Sequence, residues 1–174
     1  MLKTDNLTAA LNNFGDQVIE DSKQNLKDRK KVASGKLLNS MKNNGAKVSK
    51  NSIELKINMA DYGAFVDKGV SGIIKKYDTP YSYTNKMPPP KAFDGWIVRK
   101  GIAPRTKTGQ FLSRKSIQFA IANNIFHYGI KPTHFLSDAV KKNFKLLPDI
   151  ITKSFVLDAQ SAIDFIIKSN FKNK

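Results

Sequence analysis

The sequence contains no cysteine. Disulfides and thiolate zinc sites are therefore excluded, and the composition suits a reducing compartment. Histidine is almost as scarce. His127 and His134 are the only two, seven positions apart with Pro132 between them. That spacing is neither an HExxH pattern nor an i, i+4 ligand pair, so packing or surface roles are expected rather than metal binding. Acid is also in short supply, with 14 Asp and Glu against 30 Lys and Arg. The carboxylates are scattered, and only a convergence of Asp61, Asp67 and Asp94 would assemble what a magnesium-dependent nuclease requires. No GxSxG elbow occurs. Gly109–Ser116 carries basic and hydroxyl residues without the glycine–lysine pairing of a phosphate loop. No catalytic residue, cofactor site or metal site is expected. Long apolar runs are missing too. None approaches the roughly 20 residues that span a bilayer, and none follows Met1–Asp5, so neither a membrane span nor a signal peptide is expected.

What is present is positive charge. The net charge is +16, which attracts polyanions such as nucleic acid or acidic protein surfaces. Lysine dominates over arginine. Lysine suits diffuse phosphate attraction better than bidentate base reading, and it also serves simply to keep a surface soluble. Two stretches concentrate it. Residues 29–50 hold seven Lys or Arg and no acid, and residues 86–115 hold eight against the single acid Asp94. Lys30, Lys31 and Lys36 in the first, and Arg99, Lys100, Arg105 and Lys107 in the second, are the candidates for facing DNA or an acidic neighbour. With 174 residues, 40% of them apolar, the chain reads as one domain, 1–174, with a real core.

The periodicities predict an α+β fold, several amphipathic helices on a small antiparallel sheet. Leu7, Leu11, Phe14, Val18 and Leu26 mark one face of a helix over 4–28, weakened by Gly15 inside it. Ser34 caps a short segment with Leu37, Leu38 and Met41 on its apolar face. Alternation in 46–58 predicts a hairpin, with Ala46, Val48, Ile53, Leu55 and Ile57 on one side and a turn at Lys50–Ser52. Residues 59–69 read as a short helix ending at Gly69, with Ala60, Tyr62, Ala64, Phe65 and Val66 packed inward. Residues 70–90, interrupted by Gly72 and four prolines, read as an extended arm. Loops this long are commonly functional or ordered by a partner. Tyr77, Tyr81 and Tyr83 on it suit protein contact, because tyrosine combines area with few rotors.

Beyond the arm, 91–101 reads as a short helix with Phe93, Trp96 and Ile97 on one side. Residues 103–109 form a basic turn. A helix over 111–128 follows, with Ile117, Ala120, Ile121, Ile125 and Tyr128 as its buried stripe. Gly129–Val140 is the joint that organises the chain. Pro132 disfavours helix at Lys131, and Thr133 is placed to cap the next helix, whose buried side is Leu136, Ala139, Val140, Phe144 and Leu147. Helix, Gly–Pro turn, helix resembles a DNA-reading arrangement only in outline, since Phe135 and Leu136 stand where base-reading residues belong. Pro148 starts a last helix. Its stripe is Ile151, Phe155, Ala159, Ala162 and Ile166, and Val156, Ile163 and Ile167 widen it. Apolar over more than one face, this helix is expected to touch both its own core and a neighbouring subunit. The tail 169–174 is basic and expected to fray.

The order of these features resembles the tail-completion or head–tail connector proteins of tailed bacteriophages. Ala33–Met41 looks like that family's small–Gly–x–Leu–x–x–Ser segment. A strand pair follows, and Tyr62–Gly69 is similar to its Tyr–Ala–x–Phe–Val–Glu–x–Gly segment. Lys131–Ala139 looks like its Pro–x–x–Phe–Leu–x–x–Ala segment before a closing helix, and Trp96–Ile102 resembles larger members. Residues 69–126 form an insert that compact members lack. The resemblance implies a non-enzymatic virion protein, made in the host bacterial cytoplasm. It would form a homo-oligomeric ring in the neck, between the portal and other neck or tail proteins, with packaged DNA passing through. Interface residues on this reading are Tyr77, Tyr81, Tyr83, Phe155 and Ile166. The alternative is a basic protein that binds nucleic acid non-specifically, with both basic stretches on one face.

Overall fold

A computed structural model describes residues 3–49 and 51–171. Met1, Leu2, the expected turn residue Lys50 and the end of the basic tail from Lys172 lie outside the described residues. The described chain is α+β: seven α-helices and one antiparallel two-stranded sheet. It divides into two compact units. The first takes the described parts of Met1–Asn25, Met41–Met59 and Leu136–Lys174, and the second comprises Leu26–Ser40 and Ala60–Phe135.

In the first unit, α1 (Asp5–Asp28) begins as the spacing predicts. Leu7, Leu11 and Val18 are buried at intervals of four and seven, and Ile19 beside Val18 is buried too. The hairpin pairs β1 (Lys42–Val48) with β2 (Ile53–Asn58), in a register that sets Ala46 opposite Leu55 and Val48 opposite Ile53. β1 starts four residues before the alternation becomes visible. Asn43–Asn44–Gly45, between the paired residues Asn43 and Ala46, is a bulge. Its polar groups fasten it to α1: the Asn43 amide donates to the Asn12 carbonyl (2.9 Å) and to Asp16 (3.0 Å), and Ala46 N–H donates to the Asn12 side chain (2.7 Å). Gly15 faces this contact. A Cβ there would lie 2.8 Å from the Asn43 amide nitrogen and 3.1 Å from Leu55, so the glycine that costs α1 propensity admits the sheet.

α6 (Phe135–Phe144) and α7 (Leu147–Phe171) complete the chain. On α6 the buried positions are Phe135, Ala139 and Asn143, four residues apart, while Val140 and Phe144 are exposed. The expected stripe is thus rotated toward a polar residue. The reason is a carboxylate. Asn143 donates to Asp21 of α1 (2.7 Å), and Lys142 pairs with the same oxygen at 3.0 Å. The Asn143 bond holds the Asp21 carboxyl below its ordinary range, against the opposing effect of desolvation and with help from Lys142 and Gln17.

In the second unit, α2 (Lys36–Ser40) follows Ser34, whose hydroxyl accepts from Lys36 N–H (3.3 Å). α3 (Gly63–Lys68) buries Gly63 and Asp67. Tyr62 and Phe65 are exposed rather than packed inward, because four residues of spacing leave only one narrow side for the interior. α4 (Asp94–Arg99), entered by a 3₁₀ turn at Pro90–Phe93, buries Ile97 but leaves Trp96 partly exposed. α5 (Arg114–Tyr128) starts three residues later than expected, where the Ser113 hydroxyl accepts from Ser116 N–H (3.2 Å). Its buried positions are Ile117, Gln118 and Ala122; Ala120 and Tyr128 are exposed. Gln118 is drawn in by its bond to Asp94 (2.8 Å).

The joint before α6 is a crossing of two backbones. Val70 and Ile130 exchange hydrogen bonds at 2.9 and 2.8 Å. Gly129 has φ +72°, and a Cβ on it would overlap the Val70 carbonyl; one on Gly72 would overlap the His127 carbonyl. Only glycine permits that approach. The Thr133 hydroxyl donates to the Val66 carbonyl (2.7 Å), tying the joint to α3. The chain between Gly69 and Ile130 therefore leaves and returns through one pinned point.

Candidate interaction surfaces

α7 is assembled on an apolar pattern, yet polar residues are what it buries. Asp158 is 3% exposed and Ser154 is buried, with Ile151, Ala159 and Ala162 half-buried. Asp158 lies across the start of α1, whose first N–H groups have no helical partner. Its carboxylate accepts from Asn6 N–H (2.9 Å), Leu7 N–H (3.0 Å) and the Asn6 amide (2.9 Å). Burial pushes this carboxyl up, and the three hydrogen bonds outweigh it, holding the group below its ordinary range. The helix is thereby clamped with its apolar sector turned outward. Phe155 is 51% and Ile166 56% exposed, and Val156, Ile163 and Ile167 are exposed beside them. The two residues expected at an interface, Phe155 and Ile166, stand on this sector. The core contact expected of the same stripe is confined to Ile151, Ala159 and Ala162. Exposed apolar side chains at helical spacing form a continuous patch of the kind that marks association surfaces.

The second unit holds a cavity of about 490 Å³, within the usual size of ligand pockets. Leu37, Leu38, Val66, Trp96, Ile121 and Ile125 are among its apolar walls. Lys31, Lys36, Arg99 and Lys131 also line it, and no acid does. Three of the seven predicted basic residues therefore converge, two from the first stretch and one from the second. Lys100 is close by, its ammonium donating to the Val32 carbonyl (3.3 Å). Lys30 instead terminates α1 at φ +54°. Lys31 N–H bonds Leu26 O and Lys30 N–H bonds Lys27 O, the two bonds of a Schellman end. Arg105 stacks on Phe111 (3.8 Å to the ring centre) and donates to Gly109 O (3.1 Å). It and Lys107 sit on the 103–111 turn and do not line the cavity.

The 70–90 segment lacks regular structure, as expected, but it is folded on itself. Ser71 is its hub: backbone bonds join Ser71 N–H to Tyr81 O (2.8 Å) and Tyr83 N–H to Ser71 O (2.8 Å), and the Ser71 hydroxyl accepts from Tyr77 N–H (2.9 Å). The tyrosines are half-buried. Tyr81 meets Phe65 edge-on at 4.5 Å and Tyr83 meets Phe126 at 6.3 Å, and burial pushes the Tyr83 phenol up. Lys75 lies 5.5 Å from the Tyr77 ring.

Among the described residues no group of three or more His, Cys, Asp or Glu side chains is placed to hold a metal. Asp94 bonds Gln118 and pairs with Arg114 at 3.5 Å. The His127 ring Nδ1–H donates to the Asn123 carbonyl (2.9 Å). No described helix is long and apolar enough to cross a membrane. Sequence reasoning missed two residues of these surfaces. Lys131 was hidden as an isolated lysine before Pro132. Asp158 was hidden because a lone acid on an apolar helix gives no sign of the distant N–H groups it meets. Compared with known proteins, the chain matches no protein-family model, no curated protein and no solved structure.

Proposed function

We propose that this protein is a structural subunit that assembles into a ring, acting as a head–tail connector in the neck of a tailed phage. The observation that carries the assembly is the outward apolar sector of α7, with Phe155, Val156, Ile163, Ile166 and Ile167 exposed. The phage assignment rests on the motif order. Supporting it, α2, the hairpin, α3 with its Gly69 end, the Pro132 joint and the closing helices follow one another in the expected sequence. The test is native mass spectrometry of the purified protein and of the double variant Phe155→Asp, Ile166→Asp. A fully buried apolar side chain contributes about 1.5–3 kcal/mol, so losing two weakens each subunit contact on the order of 100-fold or more. A wild-type protein that stays monomeric at high concentration sinks the reading.

A second reading has its own observation: Lys31, Lys36, Arg99 and Lys131 gather around one cavity. On that reading the protein binds nucleic acid through phosphates. Binding to a random duplex tighter than the roughly 10⁻⁴–10⁻⁶ M typical of non-specific contact at physiological salt would make DNA the primary partner.

A further inference from the structure

We infer that the cavity of the second unit binds an amphiphilic anion, a hydrocarbon body carrying one carboxylate or phosphate head. The inference goes beyond the ring reading, which rests on α7, and beyond phosphate binding, because it requires the hydrocarbon. The floor of the cavity is apolar: Leu37 is buried, and Leu38, Val66, Ile121 and Ile125 are half-buried. Lys31, Lys36, Arg99 and Lys131 line the same cavity and are exposed, so their charges stand at its rim, within reach of water. Apolar floor and cationic rim are thus layered as the two halves of an amphiphile are.

Charge decides the sign of the head. No acid lines the cavity, and among the described residues none of the four cations is paired with a carboxylate. The surrounding unit strengthens the field, since it holds 17 Lys or Arg against five acids. An anionic head meets uncompensated positive charge, whereas a cationic head meets only repulsion. Size and lining decide the body. A volume of about 490 Å³ lies within the roughly 300–1,000 Å³ that takes small organic ligands. Free phosphate or a duplex would use the rim alone and leave the apolar floor in water.

Trp96 is the only tryptophan and lines this cavity at 38% exposure, so its fluorescence reports the site without a label. The full chain is titrated with decanoate, decyl phosphate, decyltrimethylammonium and inorganic phosphate. Trp96 emission is expected to shift and saturate with decanoate or decyl phosphate, and the tighter of the two names the head. Its eight-carbon homologue should bind about tenfold more weakly, because two methylenes fewer are buried. Decyltrimethylammonium should bind weaker than the tighter anion by roughly tenfold or more, and the anion should weaken as salt rises. Charge reversal at two exposed rim positions, Lys36→Glu with Arg99→Glu, should weaken the anion by roughly tenfold or more and strengthen the cation. A misfolded variant would not move the two in opposite directions, and circular dichroism checks the fold. Three results overturn the inference: Trp96 emission that neither decyl anion moves, decyltrimethylammonium bound as tightly as the anions, or inorganic phosphate bound as tightly as decyl phosphate. None of them bears on ring assembly, which native mass spectrometry reads separately.

Discussion

Replacing Asp158 with alanine tests the clamp that fixes the orientation of α7. Three hydrogen bonds of 2.9–3.0 Å end on this carboxylate, and two come from N–H groups in the first turn of α1. Losing an N-cap acceptor costs about 0.5–2 kcal/mol. A hydrogen bond to a charged group contributes about 1.5–3 kcal/mol. Leu7 is buried, so water replaces only part of what is lost. Asp158→Ala should therefore destabilise the protein by about 2–3 kcal/mol, which at this chain length lowers Tm by roughly 4–12 °C. Asp158→Asn keeps one acceptor oxygen and should lose about half as much. The pH dependence has a definite sign. The folded carboxyl titrates below the unfolded one, so its contribution is present in full above the unfolded value near 3.9 and is lost as pH falls through the folded value. Urea unfolding of wild type and Asp158→Asn between pH 7 and 3 measures this. The wild-type advantage should shrink below about pH 4. An alanine variant within about 0.5 kcal/mol of wild type, the range of ordinary surface changes, or an advantage that persists in acid, refutes the argument.

Three further substitutions test backbone geometry. Lys30→Gly should stabilise the protein by about 1 kcal/mol in urea unfolding, because the positive φ at the end of α1 is strained for lysine and free for glycine. Gly15→Ala should gain about 1 kcal/mol of helix propensity and still lose net stability by about 1 kcal/mol, since overpacking against Asn43 and Leu55 costs about 1–3 kcal/mol. Thermal unfolding reads the sign directly. Gly129→Ala combines positive φ with overlap of the Val70 carbonyl. It should cost more than about 3 kcal/mol and expose amides of the 70–90 segment to hydrogen exchange.

The α+β class and most element positions were legible in the sequence because they follow from local periodicity. α1, β2 and α7 each begin within a residue or two of where apolar spacing, alternation or Pro148 placed them. Buried stripes were less legible, for one recurring physical reason. On α5, α6 and α7 a polar residue takes the buried place: Gln118 for Asp94, Asn143 for Asp21, and Asp158 for the start of α1. Hydrophobic spacing assigns such residues to the surface, and the bonds that draw them in connect positions up to 152 residues apart. The same blindness applies to the cavity. Its cations were visible one stretch at a time, but the meeting of Lys31 and Lys36 with Arg99 and Lys131 depends on packing within the second unit. The self-contained fold of the 70–90 segment rests on the Ser71 hydroxyl and backbone pairs, which leave no periodic trace.

The first unit is assembled from three separated pieces, and its last piece begins at Leu136. The second unit's residues are all synthesised before that piece. α1 waits through most of the synthesis of these residues for Asp158. Domains that complete early fold first during synthesis. The second unit, its cavity included, thus has its whole sequence while the first still lacks α7, and the first unit closes after it.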